Sequence, residues 1–194
     1  MFLKTIDEMS ADGRIAEIYQ GQKSRLGFVM SAVKCFTSRP DLLPTYVEFA
    51  EGIRAKFSLG LRDWRLITLI AAKEARSNYC SYVYGQQLID DLGSKKAVIA
   101  VQRNFRTAGL SERDVAMLAY AEKVASNSPE ITQADIDQLR AAGFEDEEIC
   151  DIALCAAFRC FVGRFFDATG AEPETAFIDA DEEFRAAMTV GRSL

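Results

Sequence analysis

Helix signals without strand signals are the feature that most constrains the fold. No segment of the 194-residue chain alternates apolar and polar residues over a useful length, and β-branched residues never bunch. Capping residues recur instead, because Ser111 and Thr132 each stand three residues before an acid at the head of an apolar-periodic run. Gly93 and Gly170 stand where such runs stop. The pattern predicts an all-α chain of about nine or ten helices.

The apolar periodicity also places these helices along the chain. We expect the segments 62–75 and 78–92 to form a central antiparallel pair, since apolar residues cover most of the circumference of the first. The length predicts a single domain over 1–194, with N-terminal helices in 1–60 packing on a core of 61–194. The expected helices are 10–20, 28–37, 41–57, 62–75, 78–92, 94–106, 111–126, 132–142, 146–169 and 174–189.

Charge and hydropathy exclude several partners. The net charge is -6, and lysines and arginines are scattered, which argues against nucleic acid or an anionic membrane surface as the main partner. The longest apolar runs, such as 66–72, are less than half of the roughly 18 residues that a membrane span needs. The segment 1–8 has acids where a signal peptide would have its apolar core, so we expect a cytoplasmic protein.

The chain contains no histidine, which removes the Ser/His triad and imidazole-ligated metal sites from consideration. Among the five cysteines, Cys150, Cys155 and Cys160 are spaced by five residues, so that each is rotated by about 140° from the last on a helix. They cannot converge on one ion. We expect these three and Cys35 to be small buried hydrophobic residues, and we expect neither a metal site nor an organic cofactor.

The most unusual local stretch is 74–85, a polar turn followed by three of the six tyrosines. If Ser77 is the N-cap of the next helix, Cys80 occupies the third position, where the helix N-terminus lowers a thiol pKa. Tyr84 lies one turn further along on the same face. Arg65, on the preceding helix, would reach this face only if the interhelix angle is wide. The alternative is a capped helix with a buried cysteine and tyrosines at an interface.

Four blocks of the chain together resemble the alkylhydroperoxidase-D-like superfamily, which includes the carboxymuconolactone decarboxylases. They run from Leu61 to Cys80, from Leu110 to Lys123, from Ile131 to Ile149 and from Phe161 to Gly170. The resemblance implies the helical bundle of that superfamily. The N-terminal helices before residue 60 are similar to those of its longer, peroxidase-related members.

The chain departs from the peroxidase motif of the resembled family. That motif is a Glu, eleven residues, a Cys, two residues, a Cys, three residues and a His, and its positions fall on Arg65, Ser77, Cys80 and Tyr84. Without a cysteine at position 77 there is no vicinal dithiol to resolve a sulfenic acid, so disulfide-cycling peroxidase chemistry is not expected. The decarboxylase branch resembles the chain in the Arg65–Thr68 stretch and in lacking the dithiol, but it has a histidine where Tyr84 stands.

The first functional hypothesis is a cofactor-free lyase or isomerase acting on a compact carboxylated or aromatic substrate. Arg65 would bind an anionic oxygen, Tyr84 would donate a hydrogen bond to a developing enolate, and Cys80 would serve as thiolate base or nucleophile. Neighbouring residues expected to contact the substrate are Ser77, Tyr79 and Arg76.

Two other hypotheses remain open. In one, Cys80 is a single-cysteine peroxidase or thiol antioxidant that is resolved by an outside thiol or a distant cysteine. In the other, the chain is a non-catalytic member of the superfamily. Peroxide would cause stoichiometric loss of the Cys80 thiol only in the former, whereas a small anion that raises the melting temperature favours the lyase or isomerase.

Apolar stripes on the expected helices predict a homo-oligomer. Phenylalanines recur at helical intervals at 158, 161, 165 and 166, and alanines form similar stripes. One small core is not expected to cover them all. Core packing or a subunit seam is the favoured interpretation of the phenylalanine stripe, and the wall of a substrate pocket is the alternative.

Overall fold

The computed structural model describes residues 1–192 and confirms the all-α class, because it contains no strand among those residues. Within residues 1–192 the connections between ten α-helices include four 3-10 helices. The helices are α1 Gly13–Leu26, α2 Ser31–Lys34, α3 Leu43–Lys56, α4 Leu61–Ala75, α5 Asn78–Leu92, α6 Lys95–Asn104, α7 Glu112–Asn127, α8 Gln133–Ala141, α9 Asp146–Thr169 and α10 Glu182–Met188.

Helix α4 is the centre of the molecule, packed against α5, α7 and α9. Its residues from Leu66 to Ala72 are all buried, as the apolar circumference predicts. The α4–α5 pair is antiparallel, since Arg65 near the start of α4 forms an ion pair with Asp91 near the end of α5. Although α9 has 24 residues, no helix within 1–192 is both long and apolar enough to cross a bilayer.

The predicted helix bounds are accurate in the core and wrong toward both ends of the chain. At the N-terminal end the expected helix 10–20 is α1, which runs to Leu26, and the expected helix 28–37 is α2 followed by a 3-10 turn, Cys35–Ser38. The segments 78–92 and 146–169 match α5 and α9 at both ends. The expected helix 174–189 is instead a 3-10 turn, Thr175–Phe177, followed by α10. The break occurs because the Asp181 carboxylate accepts hydrogen bonds from the backbone N–H groups of Glu183 and Phe184, which starts a new helix.

The N-terminal segment lies over one face of α9 through aromatic contacts. The Phe36 ring stacks on Tyr46 at 3.8 Å and on Phe165 at 4.3 Å between centroids. In α3 only Leu43 is fully buried, and Tyr46 and Phe49 of this helix rest on the Phe158 ring. Helix α3 is therefore a cover over the middle of α9.

Candidate functional site

Cys80 lies where the sequence places it, but its predicted acidity is wrong. Ser77 is the N-cap of α5 and Cys80 is the third helical residue. The thiol is buried, with 1% of the residue exposed, and this burial raises the pKa of Cys80 to about 11. The charge of Arg159 and the Ser77 hydroxyl lower the pKa only in part. Loss of hydration therefore outweighs the stabilisation of the thiolate by the helix N-terminus.

Arg159 on α9 is the cation that accompanies Cys80, and it was not among the site residues expected from the sequence. It is 7% exposed, and its guanidinium carbon lies 4.6 Å from the Tyr84 ring centre, 4.7 Å from that of Trp64 and 5.3 Å from that of Phe158. Among residues 1–192 it forms no salt bridge, and its Nε has no hydrogen-bond partner. A buried cation in this state is costly, and cation–π contacts offset only about 2 kcal/mol each. The aromatic cage is therefore suited to receive an anion.

Uncharged acids surround this cation. The Tyr84 ring contacts Arg159 directly. The positive charge of Arg159 opposes the effect of burial on the pKa of Tyr46, Cys80 and Cys155. Burial nevertheless raises the pKa of Cys155 to about 12 and also raises that of Tyr46. At neutral pH Tyr46, Cys80 and Cys155 are therefore protonated, and none of the three neutralises the arginine. We name the set Arg159, Trp64, Tyr84, Cys80 and Tyr46 the arginine cluster.

Arg65, the cation expected to bind substrate, is engaged elsewhere. Its Nη1 is 2.8 Å from a carboxylate oxygen of Asp91, and its Nε donates to the side-chain oxygen of Gln87 at 3.2 Å. Gln87 and Asp91 both lie between Tyr84 and the C-terminal end of α5. The close antiparallel packing of α4 and α5 thus directs Arg65 away from Cys80, and its charge is already compensated.

The three residues expected to contact substrate have different surroundings. Ser77 is buried with its side chain close to Gly163, and its hydroxyl lacks a hydrogen-bond partner of normal geometry. The Tyr79 hydroxyl donates to Glu174 at 3.0 Å and accepts from the Ala32 N–H at 3.3 Å, which ties α5 to two other segments. Arg76 is exposed and ends α4 with a φ of 57°. Of the three, Ser77 is the residue whose hydroxyl lowers the pKa of the Cys80 thiol.

The other cysteines follow the expectation with one exception. Cys35, Cys155 and Cys160 are buried, and burial raises the pKa of each thiol. Cys150 is exposed, so its expected burial is wrong. The reason is its place on α9, because residues 150, 154, 157 and 161 form one exposed face of that helix.

A separate cleft of about 690 Å³ opens between α7 and α9. Its lining includes Pro129, Cys160, Phe161 and Arg164 and none of the arginine cluster. Phe161 is 53% exposed there, whereas Phe158 and Phe166 of the same phenylalanine stripe are buried. The stripe is therefore partly core and partly surface.

A sequence signal for Arg159 exists in the register of α9. Ile152, Cys155, Arg159 and Val162 follow one another at spacings of three and four, and all four are buried. A single charged residue on an otherwise apolar, buried face of a helix breaks the usual pattern, and such a residue marks a functional position more often than an exposed charge does.

Comparisons with known proteins identify structural neighbours only. No protein-family model and no curated protein matches the chain. The alkylhydroperoxidase AhpD core, an uncharacterized peroxidase-related protein from Ralstonia eutropha JMP134, superposes with a TM-score of 0.82 at 25% identity, over 91% of this chain and 93% of that one. An uncharacterized peroxidase-related protein from Silicibacter sp. TM1040 gives 0.80 at 23% identity, over 91% and 96%.

A third neighbour is an enzyme with a bound organic molecule. A cysteine-to-alanine variant of the debrominase Bmp8 in complex with 2,3,4-tribromopyrrole gives a TM-score of 0.77 at 19% identity, over 97% of this chain and 96% of that one. At that identity the likeness concerns the fold.

Proposed function

The chain has the fold of the alkylhydroperoxidase-D-like superfamily, and from this premise we propose that it is a cofactor-free lyase or isomerase of small anionic molecules. The observation that carries the proposal is Arg159, a buried cation with no carboxylate partner among residues 1–192, held beside Cys80 and Tyr84. It takes the substrate-binding role that the sequence suggested for Arg65.

The charge balance of the arginine cluster favours an anionic substrate. Arg159 is permanently protonated and presents planar N–H donors that suit a carboxylate or an enolate oxygen. Because Arg159 forms no salt bridge with any residue in 1–192, an anionic ligand would satisfy the guanidinium without displacing an existing ion pair. Arg65 would first have to give up Asp91.

The protonation state of Cys80 favours proton donation over nucleophilic attack. With a pKa of about 11, Cys80 is a neutral thiol at pH 7. Bound substrate anion would also offset the Arg159 charge that lowers this pKa. When the carbon–carbon bond to the substrate carboxylate breaks, CO₂ leaves and the electron pair moves into an enolate whose oxygen is held by Arg159 and Tyr84. The Cys80 thiol then gives its proton to carbon, and solvent reprotonates the thiolate.

A single-cysteine peroxidase centred on Cys80 is the second candidate, supported by the peroxidase-related neighbours. Ser77 in place of a second cysteine and the raised pKa of Cys80 both oppose it, since the thiolate is the form that reacts with peroxide. A non-catalytic role is the third candidate.

Proton transfer to carbon in heavy water tests the proposal. We would incubate the protein in D₂O with a panel of small unsaturated and β-keto carboxylates and follow deuterium incorporation and loss of CO₂ by NMR. We expect turnover of at least one compound, its loss in Cys80→Ser and Arg159→Met, and its retention in the matched control Arg65→Met. Consumption of alkyl hydroperoxide without carboxylate turnover would instead establish the peroxidase.

A further inference from the structure

We infer that the indole N–H of Trp64 is a second donor to the anion held by Arg159, so that the site selects a carboxylate, which has two acceptor oxygens. The inference rests on the proposed function, because it assigns a specificity-determining residue to the same site. Trp64 belongs to α4 and Arg159 to α9, two helices packed against each other in the core.

Two buried hydrogen-bond donors without acceptors lie close together where Trp64 contacts Arg159. Trp64 is 1% exposed and its Nε1 has no hydrogen-bond partner, and the same is true of the Nε of Arg159. Buried polar groups are nearly always satisfied, so an orphan pair in contact is an unusual arrangement. Only four buried side-chain atoms in the described part of the chain are orphans, and a third, Ser77 Oγ, adjoins Cys80. Two of the unsatisfied groups, on Arg159 and Ser77, therefore lie near the Cys80 thiol, and Trp64 adjoins them through its contact with Arg159.

The distance between the two groups suits one small ligand. The Arg159 guanidinium carbon lies over the Trp64 ring, 4.7 Å from its centre, so the indole edge and the guanidinium are close enough for one small anion to accept a hydrogen bond from each. A carboxylate accepts one bond at each oxygen. The side chains around the indole, Phe57 at 5.1 Å and Phe158 at 6.5 Å between centroids, carry no acceptor that would compete.

The single tryptophan of the chain makes the inference directly measurable. In ¹⁵N-labelled protein the indole N–H of Trp64 gives one NMR signal, which we would follow during titration with sodium acetate at constant ionic strength. We expect a saturable downfield proton shift, as a charge-assisted hydrogen bond produces. Calorimetry should show acetate binding weakened about tenfold in Trp64→Phe, which keeps an aromatic ring over the guanidinium but lacks the donor. Arg164→Met, an exposed position on the same helix, should bind acetate as the unmodified protein does.

The outcomes separate this inference from the function it rests on. Acetate binding that depends on Arg159 but leaves the indole signal unmoved, with Trp64→Phe unaffected, would overturn the role of Trp64 and leave the anion site intact. Absence of acetate binding to the unmodified protein would overturn both. If Trp64→Phe does not fold, the indole shift in the unmodified protein decides the matter alone.

Discussion

At Cys80 two physical effects of opposite sign act on one thiol. The first turn of α5 favours the thiolate, and burial in the core favours the neutral thiol. Burial is the larger effect, since it raises the pKa of Cys80 to about 11 even beside the positive charge of Arg159. The site therefore holds a protonated Cys80 thiol beside the positively charged Arg159.

Thiol labelling under native conditions follows from this balance. We expect iodoacetamide at pH 8 to modify the exposed Cys150 first and to leave Cys80 unmodified until the protein unfolds, because alkylation needs both access and a thiolate. Peptide mapping by mass spectrometry measures the order. Labelling of Cys80 ahead of Cys150 would show that the arginine cluster opens readily and carries a more acidic thiol than the closed structure does.

Replacement of Arg159 by methionine separates a functional arginine from a structural one. The change removes an uncompensated buried charge and keeps a flexible apolar side chain, so we expect the free energy of unfolding to stay constant or rise by up to about 2 kcal/mol. Arg65→Met, which strips the partner from Asp91, should cost about 1 kcal/mol. Urea unfolding measures both. A loss greater than that of Arg65→Met would make Arg159 a structural residue.

At the scale of elements, the α4–α5 turn fixes the position of Cys80 relative to the rest of the core. Arg76 ends α4 in the left-handed region, and the Asn78 side chain binds the C-terminal segment by accepting from the N–H groups of Val190 and Gly191 and donating to the Arg192 carbonyl. A Cβ at Gly191 would clash with the Arg76 carbonyl oxygen, so at this point the C-terminal segment packs closely against the turn.

Arg76→Gly tests the strain in this turn. Glycine adopts a φ of 57° without the steric cost of a side chain, so we expect the variant to be more stable by about 0.5 to 1 kcal/mol. Thermal and urea unfolding measure the difference. A variant that is instead less stable would mean that the Arg76 side chain contributes more than its backbone strain costs.

Features set by residues close together in the sequence were predictable, whereas features set by contacts between distant segments were not. Helices α5 and α9 were predictable to the residue because their ends carry local signals, such as Ser77 before α5 and Gly93 and Gly170 after the two helices. The aligned face of Cys80 and Tyr84 was predictable for the same reason. The position of Arg159 next to Cys80 was not predictable, since Arg159 belongs to a helix some 80 residues away in sequence and packing alone brings the two together. The acidity of Cys80 also depended on burial, which no local pattern reveals.

At the scale of the whole molecule, apolar side chains remain exposed to solvent, and we propose that another copy of the chain covers them. Leu154 and Phe161 are exposed on α9, and Phe49 of α3 lies on the same side, in contact with Phe158. We expect light scattering to give at least twice 21.5 kDa at micromolar concentration, and Phe161→Lys to lower that mass. A mass of 21.5 kDa for the unmodified protein would reject the proposal.

The role of Arg159 as the anion-binding residue is tested most directly by measuring whether a small carboxylate stabilises the protein through it. A ligand at ten times its Kd that binds only the folded state adds about 1.4 kcal/mol, which raises Tm by roughly 3 to 5 °C for a chain of this size. We therefore predict that saturating acetate raises the Tm of the unmodified protein and of Arg164→Met by that amount and leaves the Tm of Arg159→Met unchanged. An equal rise in Arg159→Met, or no rise in the unmodified protein, would show that Arg159 does not bind the anion.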